Sequence, residues 1–355
     1  MKNFYKTLIA SVLIIALILP VSQVYAGNKD RSGQAGAPEL LINPWSRSSG
    51  WASASTSRVI GLESLFANVA GMAFTKKTEV AFTYTDWLKG TDINVINFGL
   101  SQRLGESSVI GFSVMSMAFG DLDVTTVDQP EGTGATFKPN LLNVNVAFSK
   151  AFSNSIYGGI NFKIISHSIP DASASGIGID AGVMYVTGER DQARFGVSLK
   201  NIGPKMKYTG DGFSIKALFE SSDYSVTVHQ RSESFELPTQ LRIGASYDFF
   251  LGESNRLTLA GSFISNSFTK DQFVLGAEFS LFDYLMLRAG YTYESDIIED
   301  IENTNRTNVY NGPSFGASVQ VPFNKETGAG IAIDYSYQTT SHFKGTHVIG
   351  VKIGL

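Results

Sequence analysis

The sequence predicts an all-β fold: a transmembrane antiparallel β-barrel of about 14 strands with an N-terminal plug segment inside the barrel. Three observations predict it. Fourteen short stretches alternate apolar with polar residues, the gaps between them alternate long and short, and the chain opens on an export signal. Successive side chains of a strand point to opposite faces. Leu142, Val144, Val146 and Phe148 therefore form one apolar face, and Asn143, Asn145, Ala147 and Ser149 a small polar one. In an outer-membrane barrel the first face meets lipid and the second lines the lumen.

Residues 1–26 read as a signal peptide. Lys2 and Lys6 give a positive start, an apolar run follows from Thr7 to Pro20, and Val24-Tyr25-Ala26 supplies the cleavage site. That run is shorter than the ~20 residues a spanning helix needs. The chain is therefore expected to be exported, with the signal cleaved, and to reside in the cell outer membrane. Residues 27–77 do not alternate and are expected to form a leader and plug segment. Asn28–Gly36 is small and polar, whereas Glu39–Met72 mixes Leu40, Leu41, Ile42, Trp45, Trp51, Val59, Leu62 and Leu65 with serine and alanine. This stretch is too polar to cross lipid and too apolar to hang free in water. The lumen of a large barrel, otherwise a column of water, is the economical place for it, as short helices and turns.

Residues 78–355 carry the barrel. Strands are expected near 78–88, 91–104, 107–118, 141–151, 155–168, 175–187, 193–202, 236–250, 255–265, 272–282, 284–294, 312–322, 328–341 and 345–355. Each runs for about ten residues or a little more, the length a tilted strand needs to cross hydrocarbon. Leu241, Ile243, Ala245, Tyr247 and Phe249 against Arg242, Gly244, Ser246 and Asp248 show the period of two that excludes helix. Between strands, long gaps at 119–140, 203–235 and 295–311 alternate with short turns such as Ser153-Asn154. With both termini in the periplasm and an even strand count, every long loop falls outside. The last strand places Ile349, Val351, Ile353 and Leu355 on one side.

Composition excludes several classes. No cysteine is present, so there is no disulfide framework or thiolate site, and no metal or other cofactor is expected. The net charge of −4 argues against a nucleic-acid partner. Aromatics at 12% and 35 glycines suit a barrel with interfacial rings and curved strands. His167, His229, His342 and His347 lie beside no nucleophile elbow or His-Glu-x-x-His pattern, so no catalysis is expected and the histidines read as solvated. The polar face carries both signs: Lys163, Asp180, Lys200, Arg242, Asp248, Glu278, Arg288, Glu294, Asp334 and Lys352. Of these Lys200, Arg242, Glu278, Arg288 and Asp334 are the principal lumen charges, and pairing among themselves or with the plug is expected, because a selective channel more often shows one sign.

The stretch from Pro44-Trp45-Ser46-Arg47 through Gly61-Leu62-Glu63 to Asn68-Val69-Ala70-Gly71-Met72 resembles the N-terminal region of the PorV/PorQ family, within the FadL-like group of barrels. Phe195–Met206, followed by Gly210-Asp211-Gly212, is similar to a second hallmark. Val69 and Met72 stand where FadL-like fatty-acid transporters carry the proline and leucine of Asn-Pro-Ala-Gly-Leu. The resemblance implies fourteen strands, an N-terminal plug and a non-enzymatic role in type IX secretion. Its expected partners are outer-membrane lipid, other secretion-system proteins and the C-terminal signal domains of secreted cargo. Trp45, Trp51, Asn68 and Gly71, at the plug and its junction with the barrel, are the candidate ligand- or partner-binding residues. The alternative is a FadL-like transporter of long-chain fatty acids or another hydrophobic small ligand.

Overall fold

The computed structural model describes residues 31, 33–218, 224–252, 254–282, 284–299, 306–324 and 329–355. The expected signal peptide lies outside them. Fourteen antiparallel strands close into one barrel. They are β1 Thr78–Trp87, β2 Ile93–Leu104, β3 Ser108–Ala118, β4 Asn140–Ala151, β5 Ile156–Ile169, β6 Ala172–Thr187 and β7 Ala193–Ile202. The ring continues with β8 Gln240–Leu251, β9 Asn255–Asn266, β10 Gln272–Leu281, β11 Leu285–Glu294, β12 Tyr310–Asn324, β13 Ala329–Thr340 and β14 Thr346–Gly354. Each pairs with the next in sequence, and β14 closes on β1 with Val351 opposite Phe82 and Ile349 opposite Tyr84. Closure leaves no unpaired sheet edge, which a strand crossing hydrocarbon requires.

The burial pattern carries the alternation into three dimensions. In β8, Gln240, Arg242, Gly244, Ser246 and Asp248 are buried, while Leu241, Ile243, Ala245, Tyr247 and Phe249 are exposed. Phe162, Ile164, Val183, Phe195, Leu275 and Ile333 are likewise apolar and exposed, forming the band that meets lipid. Among the described residues no helix is long and apolar enough to cross a membrane; the strands do so. A charge on this outer face near mid-strand has no water to solvate it. Leu259→Arg in β9 is therefore expected to destabilise the barrel by about 2–4 kcal/mol, read as a lowered urea midpoint for refolding into vesicles.

Strand positions agree with the sequence reading, and β7 does so to the residue. The largest offset is at β8, whose ladder starts at Gln240 and not at 236. Pro238 has no N–H to give the ladder, so pairing resumes only beyond it. Two of the long gaps contain short hairpins of their own. Leu122–Asp123 pairs with Thr136–Phe137, Met206–Lys207 with Ser234–Phe235, and Ser214–Leu218 with Ser225–His229.

Residues 35–75 do not join the wall. They form a 3₁₀ turn at Pro38–Leu41, single helical turns at Ser46–Ser49 and Ser64–Ala67, and a 3₁₀ run at Val69–Phe74. These turns pack against inward-facing residues all round the ring. Ser46 Oγ donates to the Val348 carbonyl in β14, Asn68 Nδ2 to that of Val183 in β6, and Ser149 Oγ in β4 to that of Ala70. Room for this backbone comes from glycines on the inner face. A Cβ on Gly290 would lie 2.3 Å from the Trp51 carbonyl, one on Gly196 2.5 Å from that of Thr56, and one on Gly99 2.8 Å from the Trp45 ring. The sequence reading assigned the glycines to strand curvature; close approach is the additional cause.

Candidate functional site

The lumen holds a chain of alternating charges that begins and ends on the N-terminal segment. Glu63 lies 3.8 Å from Arg47 Nε, and Arg47 Nε and Nη2 each donate to Asp334 Oδ1 of β13 at 3.1 Å. Ser318 of β12 bonds both Asp334 and Arg288. Arg288 Nε donates to Glu278 Oε2 at 2.6 Å, and Arg256 Nη2 of β9 to Glu278 Oε1 at 2.9 Å. Asp248 of β8 then takes Arg58 Nε at 3.2 Å and Thr258 Oγ1 at 2.5 Å. Four guanidinium groups, Arg47, Arg58, Arg256 and Arg288, face four carboxylates, Glu63, Asp248, Glu278 and Asp334. Buried charges persist when each is paired and hydrogen-bonded. This lattice balances, and it links the segment with six consecutive strands of the wall, β8 to β13.

A second cluster surrounds Asp180 of β6. Lys163 Nζ donates to it at 2.7 Å and to Asn201 Oδ1 at 2.6 Å, and the Asn201 N–H donates to Asp180 Oδ1 at 2.8 Å. Lys200 and Arg242 are different. Both are buried, and neither is within salt-bridge distance of a carboxylate among the described residues. Among the described residues Lys200 Nζ has no hydrogen-bond partner and sits 3.6 Å over the Phe66 ring, while Arg242 lies 5.0 Å from the same ring and its side chain bonds only Gln240.

The four candidate partner-binding residues all lie in the interior. Trp45 and Trp51 are each 2% exposed, Trp45 against Gly99 and Trp51 against Gly276 and Gly290. Asn68 caps the Val69–Phe74 turn by accepting from the Ala70 N–H, while its amide donates to Thr56 and Val183 carbonyls. Gly71 accepts from the Gly61 N–H, and a Cβ there would strike the Val59 carbonyl. These contacts hold the segment to itself and to the wall.

His167 corrects one expectation: it is buried, not solvated. Its Nε2 lies 2.9 Å from Glu39 Oε1 and its Nδ1 2.8 Å from the Tyr208 hydroxyl. The cluster joins three elements: the Pro38–Leu41 turn, β5 and the 203–235 loop. Phe235 stacks on His167, and Ala37, Leu40, Ile165, Met206 and Leu237 pack around them. Burial and the nearby Glu39 carboxylate raise the Tyr208 phenol above its ordinary range. Beside it, hydrogen bonds from Arg31 and Lys205 hold the exposed Glu236 carboxylate below the usual range. Glu39→Gln and His167→Ala are each expected to loosen this junction. A double-mutant cycle read by thermal unfolding should give a coupling of about 0.5–3 kcal/mol, and a coupling near zero would mean the contact is incidental.

Sequence reasoning missed Arg47, Arg58, Glu63 and Arg256 as lattice members, and Glu39 and Tyr208 as partners of His167. The available signal was the presence of charges in a small-residue segment facing a mixed-sign polar face. Among the described residues no group of three or more His, Asp or Glu is placed to hold a metal ion.

A closed fourteen-strand barrel with an apolar outer face and a polar lumen defines the class: an outer-membrane β-barrel protein. The chain belongs to the family described as Type IX secretion system protein PorV, whose model matches residues 26–266, more than half of its length. No curated protein matches it in sequence. Its fold is similar to solved structures of low identity. A TodX monoaromatic hydrocarbon channel mutant superposes with a TM-score of 0.56 at 13% identity, covering 87% of this chain and 97% of that one. The toluene transporter TbuX of Ralstonia pickettii gives 0.52 at 13%, covering 88% and 98%. A Pseudomonas aeruginosa FadL homologue gives 0.52 at 12%, covering 87% and 97%.

Proposed function

We propose that this protein is a non-enzymatic barrel of the type IX secretion apparatus that binds or shuttles the C-terminal signal domains of cargo at the cell surface. The observation that carries the reading is membership of the PorV family. The form of the molecule supports it. The end of the barrel bearing the 119–140, 203–235 and 295–311 loops offers a broad surface with short hairpins, suited to docking a folded domain. The lumen is filled by residues 35–75, which act as a plug cross-linked by a balanced ion-pair lattice, so cargo docks on the outside and does not pass through. In this reading Trp45, Trp51, Asn68 and Gly71 anchor the plug, and the leader precedes it.

The alternative is uptake of hydrophobic small molecules, favoured by the hydrocarbon-channel fold of the similar structures. Affinity purification of the tagged protein from its native membrane separates the two. Cargo C-terminal domains or other secretion components should co-purify, and a deletion strain should retain cargo in the periplasm. Intact secretion with lost uptake of labelled fatty acid would overturn the first reading.

A further inference from the structure

At its long-loop end the lumen keeps a cavity of about 230 Å³ beside the plug. Its wall is unlike that of a lipid-binding groove. It carries the amides of Asn43, Gln272, Asn308 and Gln338, with the Trp87 indole and the Tyr310 phenol among them. Much of this polarity is already satisfied. Gln272 and Asn308 both donate to the Glu294 carboxylate, Asn43 donates to Ser48 and Ser53, and Trp87 Nε1 donates to the Tyr310 hydroxyl.

Two buried atoms of lining residues are not satisfied: Arg242 Nη1 and Ser314 Oγ. Arg242 is 3% exposed, and its Nε and Nη2 meet only the neutral Gln240 amide oxygen. Lys200 behind it, over the same Phe66 ring, forms no ion pair among the described residues. The opposite end of the lumen pairs every arginine of its lattice, whereas here the buried Arg242 has no carboxylate within salt-bridge distance among the described residues: Asp180 is held by Lys163, and Glu294 by neutral donors. Truncated or unpaired buried charges are strongly unfavourable, and an anion seated against them relieves that penalty. An acid with a hydrocarbon body would answer Arg242 but leave the Ser314 hydroxyl and the other polar edges of the wall facing hydrocarbon. A body of hydroxyl groups gives them partners, and an aromatic neighbour suits the apolar face of a sugar ring. At about 230 Å³ the cavity is smaller than the roughly 300 Å³ from which sites for drug-sized ligands start, which suits a single ring.

We propose that this cavity binds a monosaccharide unit bearing a carboxylate or phosphate, the anionic group on Arg242 and the hydroxyls on Ser314 and the neighbouring amides. The unit is a free sugar acid or the terminal sugar of a surface glycolipid, and the chemistry is the same for both.

The test is isothermal titration of the full-length refolded barrel with glucuronate, glucose, acetate and dodecanoate. Glucuronate should bind at least tenfold tighter than glucose or acetate, quenching tryptophan fluorescence through Trp87. Arg242→Gln should abolish binding. Should that variant fail to fold, Ser314→Ala removes a hydroxyl that bonds nothing among the described residues, so it should leave the unfolding midpoint unchanged while weakening glucuronate severalfold. Equal binding of acetate, tighter binding of dodecanoate, or no binding of glucuronate to the wild-type barrel would overturn the proposal. Competition by lipopolysaccharide micelles then assigns the source: displacement marks a glycolipid-borne sugar, and its absence a free one.

Discussion

Glu278→Ala is expected to lower the unfolding free energy of the barrel by about 3–5 kcal/mol, the range found when one partner of a buried ion pair is removed. Glu278 stands directly opposite Arg288 in the β10–β11 ladder and holds two guanidinium groups, one on each oxygen. Arg288 is 4% exposed, so it has no water to turn to when the carboxylate leaves. Its remaining bond, to Ser318, is shared with Asp334, so the disturbance passes towards Arg47 and the rest of residues 35–75. Arg256 is more exposed and can solvate itself. This asymmetry gives a second expected result. Pairing Glu278→Ala with Arg288→Met should recover most of the loss, because an apolar side chain of similar volume is often as good as a buried pair. The measurement is the urea midpoint and slope of the barrel in vesicles, with Glu106→Ala at an exposed turn as the reference expected within about 0.5 kcal/mol of wild type. A Glu278→Ala loss under about 1 kcal/mol would mean that the lattice is decoration.

The wall of the barrel was legible in the sequence because its cause is local. Lipid on one face and polar contents on the other impose a period of two on every strand, and turn chemistry bounds each run. The exception at β8 is local too, since Pro238 delays the ladder. What fills the wall was legible only in part. A segment too polar for lipid and too apolar for water announces an interior position, and a polar face of mixed sign announces pairing. Which charge meets which is not written locally. Arg47 and Asp334 are separated by 287 residues, Arg58 and Asp248 by 190, and Glu39 and His167 by 128. His167 was misread for this reason: its strand neighbours give no hint of the turn and loop that close over it. Lys200 and Arg242 were legible as lumen charges, but that neither forms an ion pair among the described residues emerges only once Lys163 is seen to hold Asp180.

Gly290→Leu is expected to unseat residues 35–75 from the lumen while leaving the ring of strands closed. Gly290 sits on the inner face of β11, between Gly276 and Ser314 in the neighbouring ladders. The Trp51 carbonyl and the Ala52 nitrogen lie so near it that even a methyl group would come within 2.7 Å of both. These are backbone atoms and cannot rotate away as a side-chain tip would. Overpacking of a well-filled interior costs about 1–3 kcal/mol, and here the softer partner is the segment, held by single helical turns, and not the hydrogen-bonded wall. The Trp51 ring, wedged against Gly276 and Gly290, should therefore leave its seat and weaken the ties of the segment to the wall. Two readouts follow in planar bilayers and in vesicles: long-lived ion-conducting openings absent from the wild type, and protease cleavage within residues 35–75 while the strands stay protected. Gly261→Ala is the internal control. It also places a methyl group on a barrel glycine, but its nearest neighbour is the Leu275 side chain at 3.4 Å, so neither readout should change. If Gly290→Leu folds with closed conductance and a protected segment, the steric seat at Trp51 is not what holds the lumen shut, and the ion-pair lattice alone must do so.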